Sequence, residues 1–306
     1  MRNFFLEESF TDVLTPPLVE NPGMEVHIHP FKVTSVNSSS NVKGYLQTSP
    51  EFAMKKILTF CHELNLIFTI SYSFRDEPIS EIHRPSFLMC EWYRKNEFYT
   101  QIMDDCESLI KYCHGYLKNK SVPTKELNYK FQRVTVQDLF LETLNLDILN
   151  FLDKDDLKKK IKLDHRDVPL PEQDLSWDDY YFLLFLNKVE PTLLEIPYIL
   201  LYNFPHHLKA LSTINNNDSR VCDRFEIYMN GIEICNCFNE LTNFEEQKKR
   251  FQIDALEKKK LYGYELPEPA EFYTTLKSGL PPSSGVAMGV ERLLLALTGE
   301  REVFFS

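Results

Sequence analysis

Leu66-Ile67-Phe68-Thr69-Ile70-Ser71-Tyr72-Ser73-Phe74 is followed, after the polar segment Arg75 to Pro85, by Ser86-Phe87-Leu88-Met89-Cys90-Glu91-Trp92-Tyr93. Both runs are rich in aromatic and β-branched side chains, which fit a pleated, half-buried surface. They predict two strands of a long antiparallel hairpin. A second hairpin is written in Arg224-Phe225-Glu226-Ile227-Tyr228-Met229, Asn230-Gly231 and Ile232 to Phe238. Asn-Gly is the pair that a type I′ turn demands, because both central residues need positive φ.

Outward from these hairpins, Ser284 to Met288 reads as a short extended segment, and Val290 to Leu297 as a helix with Leu293, Leu294 and Leu297 on one face. Residues 25–34 alternate well enough for a strand, with Pro30 marking an edge or a bulge, and Ser35 to Asn41 is a polar loop. Met54, Ile57, Leu58 and Cys61 recur at helical spacing, so a helix is expected over 50–63. Ser49 is its candidate N-cap and Pro50 its first position. The middle, about residues 115–197, is mostly helical and charged. Its Leu157-Lys158-Lys159-Lys160-Ile161-Lys162 run is flanked by Asp153, Asp155, Asp156 and Asp164, the pattern of a solvated helix face. Hairpins in the flanks and helices between them predict an α+β fold, a mainly antiparallel β-sheet flanked by helices. A single domain over 1–306 with a helical insertion is expected.

Bulk composition narrows the function. A net charge of −11 and a pI near 5.3 argue against a general nucleic-acid binder, which carries a basic footprint. Seven cysteines are scattered without C-x-x-C spacing, so small apolar side chains in a reducing cytoplasm are a better reading than a metal site at Cys222, Cys235 and Cys237. The first ten residues lack a signal-peptide pattern, and no apolar run is long enough for a membrane span. A soluble, cytoplasmic protein is expected.

Four segments carry the chemistry. They are Thr15-Pro16-Pro17-Leu18, Phe74-Arg75-Asp76-Glu77 with His83-Arg84-Pro85-Ser86-Phe87 and Glu91-Trp92-Tyr93, Glu233 to Leu241, and Gly285-Val286-Ala287-Met288-Gly289-Val290-Glu291-Arg292-Leu293. Any one string recurs by chance. Together, in this order and with Ser49-Pro50-Glu51 between the first two, they resemble the catalytic signature of class II aminoacyl-tRNA synthetases, in the subgroup of the lysyl enzyme.

The resemblance implies ATP and Mg²⁺ as cofactors and a homodimer built on the first segment, to which Phe4, Phe5, Leu6, Phe10 and Leu14 offer apolar surface. Arg75 and Arg292 are the implied catalytic residues. Arg75 would meet the α-phosphate and the amino-acid carboxylate. Arg292 would hold the γ-phosphate and cover the adenine, with Phe87 as the opposite stacking face. Asp76, Glu77, Arg84, Ile234 and Gly289 complete the implied ATP site, and Glu233, with Glu240, the metal ligands. Ser49, Pro50, Glu51, Glu91, Tyr93, Asn236, Glu240 and Ala287 would line the amino-acid pocket. The chemistry suits the residue types: a carboxylate attacking phosphorus needs positive charge where the transition state gathers negative charge. Three converging carboxylates, Glu51, Glu91 and Glu240, repel one another unless a cation enters. Lysine or β-lysine resolves that repulsion, and aspartate worsens it.

The first segment begins within fifteen residues of Met1, leaving no expected room for an anticodon-binding domain. That stripped-down form is similar to the elongation factor P lysyl ligases, as is Ala287 in a position where the tRNA enzymes carry Gly. The resemblance therefore implies transfer of lysine or (R)-β-lysine to elongation factor P, without anticodon-dependent tRNA binding or a membrane. Arg84 and Ser86 stand where Asn and Glu are usual, Asp76 where Asn is common, and Cys237 where Gly is usual. A small-molecule acceptor and a non-catalytic amino-acid or ATP sensor are the competing readings.

Overall fold

The computed structural model describes residues 1–127 and 130–301. They fall into two compact units, Met1–Lys125 with Glu240–Ser306, and Glu126–Asn239. The first unit begins with α1 (Arg2–Glu7), β1 (Thr11–Asp12), β2 (Leu18–Val19), β3 (Lys32–Ser35), β4 (Ser38–Leu46), α2 (Glu51–Phe60), β5 (Leu66–Phe74), β6 (Ser86–Lys95) and α3 (Tyr99–Asn119). The second carries β7 (Gln132–Thr135), α4 (Val136–Leu144), α5 (Lys154–Asp164), α6 (Trp177–Leu184), α7 (Glu190–Leu193), β8 (Ile199–Pro205), β9 (Val221–Met229) and β10 (Ile232–Asn239). The chain returns to the first unit with α8 (Phe244–Tyr262), α9 (Ala270–Lys277), β11 (Ser283–Gly289) and α10 (Val290–Thr298).

In the first unit the sheet runs β1-β5-β6-β11, with β6 antiparallel to both of its neighbours. The hairpin expected from residues 66–93 is present, from Leu66↔Arg94 to Phe74↔Ser86. Side chains on a strand alternate faces, and directly opposed residues share one. Phe87, Met89, Glu91 and Tyr93 therefore share a face with their β5 partners Ser73, Ser71, Thr69 and Ile67. On the other side, Gly289, Ala287 and Gly285 oppose Met89, Glu91 and Tyr93. Large or charged side chains on the middle strand thus stand mostly between small ones, and Tyr93 fills the space over Gly285. One edge of this face is closed by α2, whose Met54 and Leu58 bury against Ile67 and Tyr93.

The N-terminal aromatics serve this unit's own core. Phe5 stacks on Phe68 at 4.7 Å, lies 5.1 Å from Trp92 and meets Phe10 edge-on. Phe4, Phe5 and Phe10 are buried within the unit, so the apolar surface expected for a dimer shrinks to exposed Leu6 and Leu14. Two local expectations also change. Residues 25–31 are not a strand, because the carbonyls of Glu25, Val26 and Ile28 accept hydrogen bonds from the Lys258 ammonium (2.8, 3.0 and 2.7 Å). The loop expected at Ser35–Asn41 reduces to a turn at Val36-Asn37, since Ser38 already pairs with Ser35.

In the second unit the strands run β10-β9-β8-β7. The β9–β10 hairpin turns at Asn230 and Gly231 with φ of 48° and 75°, the type I′ signature. Helices α4 and α6 bury Phe140, Trp177, Tyr180 and Tyr181 in its core. The helical insertion expected at about 115–197 is thus not a separate helical body: α3 lies in the first unit, and the remainder belongs to a unit that includes four strands. Residues 128 and 129 of that expectation lie outside the described residues. Helix α5 buries only Leu157 and Ile161, while Lys158, Lys159 and Lys160 pair with Asp174, Asp156 and Asp164, as its solvated pattern predicts. No helix among the described residues is long and apolar enough to cross a membrane.

Candidate active site

The acidic pocket is assembled by α2, β6 and the residue that leads into the first unit after β10. Helix α2 starts at Glu51 with Pro50 at the cap position, one residue later than expected for a Ser49 cap. Ser49 Oγ accepts from the Glu51 amide at 3.1 Å and donates to Glu91 Oε1 at 2.5 Å. Tyr93 Oη approaches Glu91 Oε2 at 3.5 Å, with its ring packed over Gly285. Glu91 is buried, and desolvation, reinforced by the charge of Glu51, pushes its carboxyl up to about 8. Burial does the same to Glu240, again to about 8, against the pull of Lys55.

Lys55 is the residue that the sequence reading missed. Its ammonium is fully buried and lies 2.5 Å from Glu51 Oε1 and 2.5 Å from Glu240 Oε2. Burial opposes its charge, but Glu240 and Glu51 outweigh that and hold its pKa above the ordinary lysine value. The i, i+4 step from Glu51 to Lys55 was the available signal. The unanswered charge of three carboxylates was the reason to look for it. Glu240 Oε1 is buried and has no hydrogen-bond partner among the described residues. With its other oxygen against an ammonium, Glu240 is arranged as a cation acceptor.

At the opposite end of β6 stand the basic residues. The Arg75 guanidinium lies 5.3 Å from the Phe87 ring centroid, its Nε donates to the Thr48 carbonyl at 3.4 Å, and its backbone amide donates to the Pro85 carbonyl. Asp76 and Glu77 line a polar recess of about 470 Å³ with His29 and Tyr264. Arg292 extends from the first turn of α10, and its Nη2 donates to His83 Nε2 at 3.1 Å. That assigns the ring proton of His83 to Nδ1, which faces Ser80 Oγ at 2.8 Å. Glu291 fixes the start of α10 by accepting from the Leu88 amide with both carboxylate oxygens, at 2.8 and 3.0 Å. Adjacent residues of β6, Phe87 and Leu88, thus carry the two arginine-bearing elements. Arg84 turns back onto the carbonyls of Ser80 and His83, so it shapes the loop. A Cβ on Gly289 would meet only the Arg292 side chain at ordinary contact distance, whereas one on Gly285 would fall 2.1 Å from the Tyr93 ring.

In the second unit Glu233 lies beside a β-bulge that leaves Ile234, a buried side chain, without a cross-strand partner on β9. The Asn236 side-chain oxygen accepts from Arg224 Nε at 3.1 Å. Arg224 is held between the rings of Phe204 and Phe238 and is paired with Glu226. Burial raises the carboxyls of both Glu190 and Glu226, and the charge of Glu233 adds to it in each. The Glu233 carboxylate is a hard oxygen donor of the kind Mg²⁺ takes, but among the described residues no three His, Cys, Asp or Glu side chains are grouped to hold a metal by themselves.

Residues 1–304 match the family model for class II tRNA synthetases of the D, K and N type. The chain belongs to that family. Among class II relatives it is 34% identical to the elongation factor P–(R)-β-lysine ligase of Buchnera aphidicola subsp. Acyrthosiphon pisum, over 99% of this chain and 89% of that protein. The enzymes of the same name from Vibrio cholerae and Vibrio atlanticus are 33% and 35% identical, over 99% and 98% of this chain and 89% and 88% of theirs. The class II family and the α+β fold expected from the sequence are thereby borne out over residues 1–304.

Proposed function

We propose that this enzyme activates lysine or (R)-β-lysine with ATP as an aminoacyl-adenylate and transfers it to the ε-amino group of a lysine on elongation factor P. The acidic pocket carries this reading: Glu51, Glu91 and Glu240 gather on one side of the sheet, and Glu240 Oε1 has no protein partner among the described residues. The names of the similar ligases support the acceptor.

In the first step a carboxylate oxygen of the amino acid attacks the α-phosphorus of ATP and pyrophosphate leaves. Arg75 offsets the charge gathered at that phosphorus, and its stacking against Phe87 limits the conformations open to it. Arg292, held by His83, binds the terminal phosphate and covers the base. Glu233 would hold Mg²⁺, which would supply positive charge to the phosphates. Glu91 and Glu240 hold the ammonium groups of the substrate, and Ser49 and Tyr93 orient Glu91. In the second step the unprotonated acceptor amine attacks the acyl carbon, AMP leaves and one proton is released. Proximity supplies much of the rate. Exposed Leu6 and Leu14 remain available for a homodimer, and the cytoplasm is the compartment in which such an acceptor is met.

Purified enzyme, ATP and each lysine isomer are incubated with elongation factor P or with total tRNA. A mass increase of one lysyl-type group on the protein is expected. Charged tRNA with unmodified protein would overturn the assignment of the acceptor, and absence of pyrophosphate exchange with both isomers would overturn the activity.

A further inference from the structure

We propose that Lys55 is a specificity-determining positioning residue, which holds Glu51 and Glu240 together as one cation receptor and turns Glu240 Oε1, buried and without a hydrogen-bond partner among the described residues, toward the substrate's ammonium. This rests on the reading of the pocket as a lysine site.

The geometry is a buried bridge. The Lys55 side chain is 1% exposed and that of Glu240 1%, and both of its carboxylate partners lie at 2.5 Å. Two carboxylates this close to one ammonium would repel each other in its absence. Breaking a buried pair by removing one partner leaves uncompensated charge, so the carboxylates would protonate or turn away. Among the described residues the nearby cations, Arg75 and Lys258, are engaged elsewhere. The other charged groups around the cluster are Glu91, hydrogen-bonded to Ser49 and approached by Tyr93, and Glu25, which faces Glu51, Arg75 and Lys258. Arg75 stands over Phe87, and Lys258 is engaged with three backbone carbonyls. An aromatic wall, Phe272, lies 5.7 Å from the ammonium and stacks on Phe52 of the same helix, which keeps Lys55 from swinging out.

The arrangement also counts charge. Three carboxylates and one ammonium leave the receptor two negative charges when ionised, the complement of the two ammonium groups of lysine or β-lysine. Without Lys55 the carboxyls of Glu240 and Glu91 lose a cation that favours their ionised forms, and the receptor's preference for a dication over an uncharged isostere should fall.

The test compares wild type, Lys55→Met and Lys55→Arg in pyrophosphate exchange with lysine, β-lysine and norleucine, the analogue that lacks the side-chain amine. Lys55→Met should raise the KM for the preferred isomer by at least ~10-fold, the scale of a lost charge-assisted hydrogen bond. The ATP KM should stay within about twofold, and the kcat/KM ratio of lysine to norleucine should fall by a similar ~10-fold. Lys55→Arg, which keeps the charge, should recover part of the ratio. If Lys55→Met does not fold, Lys55→Gln takes its place. Amino-acid and ATP KM values that move together, with the lysine to norleucine ratio unchanged, overturn the proposal and leave the assigned activity standing. Wild-type enzyme silent with both isomers overturns both.

Discussion

Arg292 Nη2 donates to His83 Nε2 across 3.1 Å, which ties the helix after β11 to the loop between β5 and β6. Both ends of that bond are set by short-range structure. Arg292 is fixed because Glu291, its neighbour, accepts the Leu88 amide. His83 is fixed because Ser80 Oγ holds its other nitrogen. If Arg292 binds the nucleotide as proposed, its guanidinium is aimed before the nucleotide arrives, and preorganisation of this kind lowers the cost of binding.

His83→Ala removes one support of Arg292 without removing its charge. The ATP KM in pyrophosphate exchange should rise severalfold, while the amino-acid KM stays near wild type. An unchanged ATP KM would show that Arg292 needs no support from the loop.

Arg75→Ala should cut exchange by at least ~100-fold, the scale for losing a preorganised transition-state donor. The defect should appear chiefly in kcat, because the charge that Arg75 answers develops as the carboxylate attacks. A loss confined to either KM would instead mark Arg75 as a ground-state binder.

Gly285→Ala tests a packing relation. The added methyl would fall 2.1 Å from the Tyr93 ring, a distance no pair of carbons tolerates, so the ring must shift from its place beside Glu91. Overpacking a buried contact costs on the order of 1–3 kcal/mol. A lower Tm and a higher amino-acid KM are expected together. Gly289→Ala, with only ordinary contacts around the new atom, should leave Tm within about 2 °C of wild type.

The sheet was legible because its hairpins are written locally: aromatic and β-branched runs in β5 and β6, and Asn-Gly between β9 and β10. What escaped was decided by partners distant in sequence. Residues 25–31 alternate like a strand, yet their carbonyls answer a lysine more than two hundred residues away. Phe4, Phe5 and Phe10 read as interface and proved to be core, because Phe68 and Trp92 offer them a closer apolar surface. The site residues could be read as types, since arginine and carboxylate strings are visible in one dimension. Which oxygen Lys55 occupies, and which it leaves, could not, because that depends on α2 and Glu240 meeting in space.

The last expectation concerns pH. Glu91 has its carboxyl pushed up to about 8 by burial and then by Glu51, with Ser49 and Lys55 pulling the other way. An ammonium is held by the ionised form, so below pH ~8 a proton must leave as the amino acid binds, and apparent affinity weakens by up to about tenfold per unit. The amino-acid KM should fall as pH rises from about 6.5 to 8 and then level off, until the substrate's own amines lose their protons. The sign for stability is the reverse. A carboxyl whose folded value lies above its ordinary value of 4.5 favours the protonated fold, so this contribution is full below that value and is lost as pH climbs toward 8. The Tm of the substrate-free protein should decline across that window, and saturating lysine should recover more of it at pH ~8 than at pH ~6. Glu91→Gln, which cannot ionise, should raise the KM, reduce the slope of its pH profile to the part that Glu240, also pushed up to about 8, contributes, and remove its own share of the decline in Tm. A KM profile with the same slope in Glu91→Gln would move the titrating group elsewhere in the pocket.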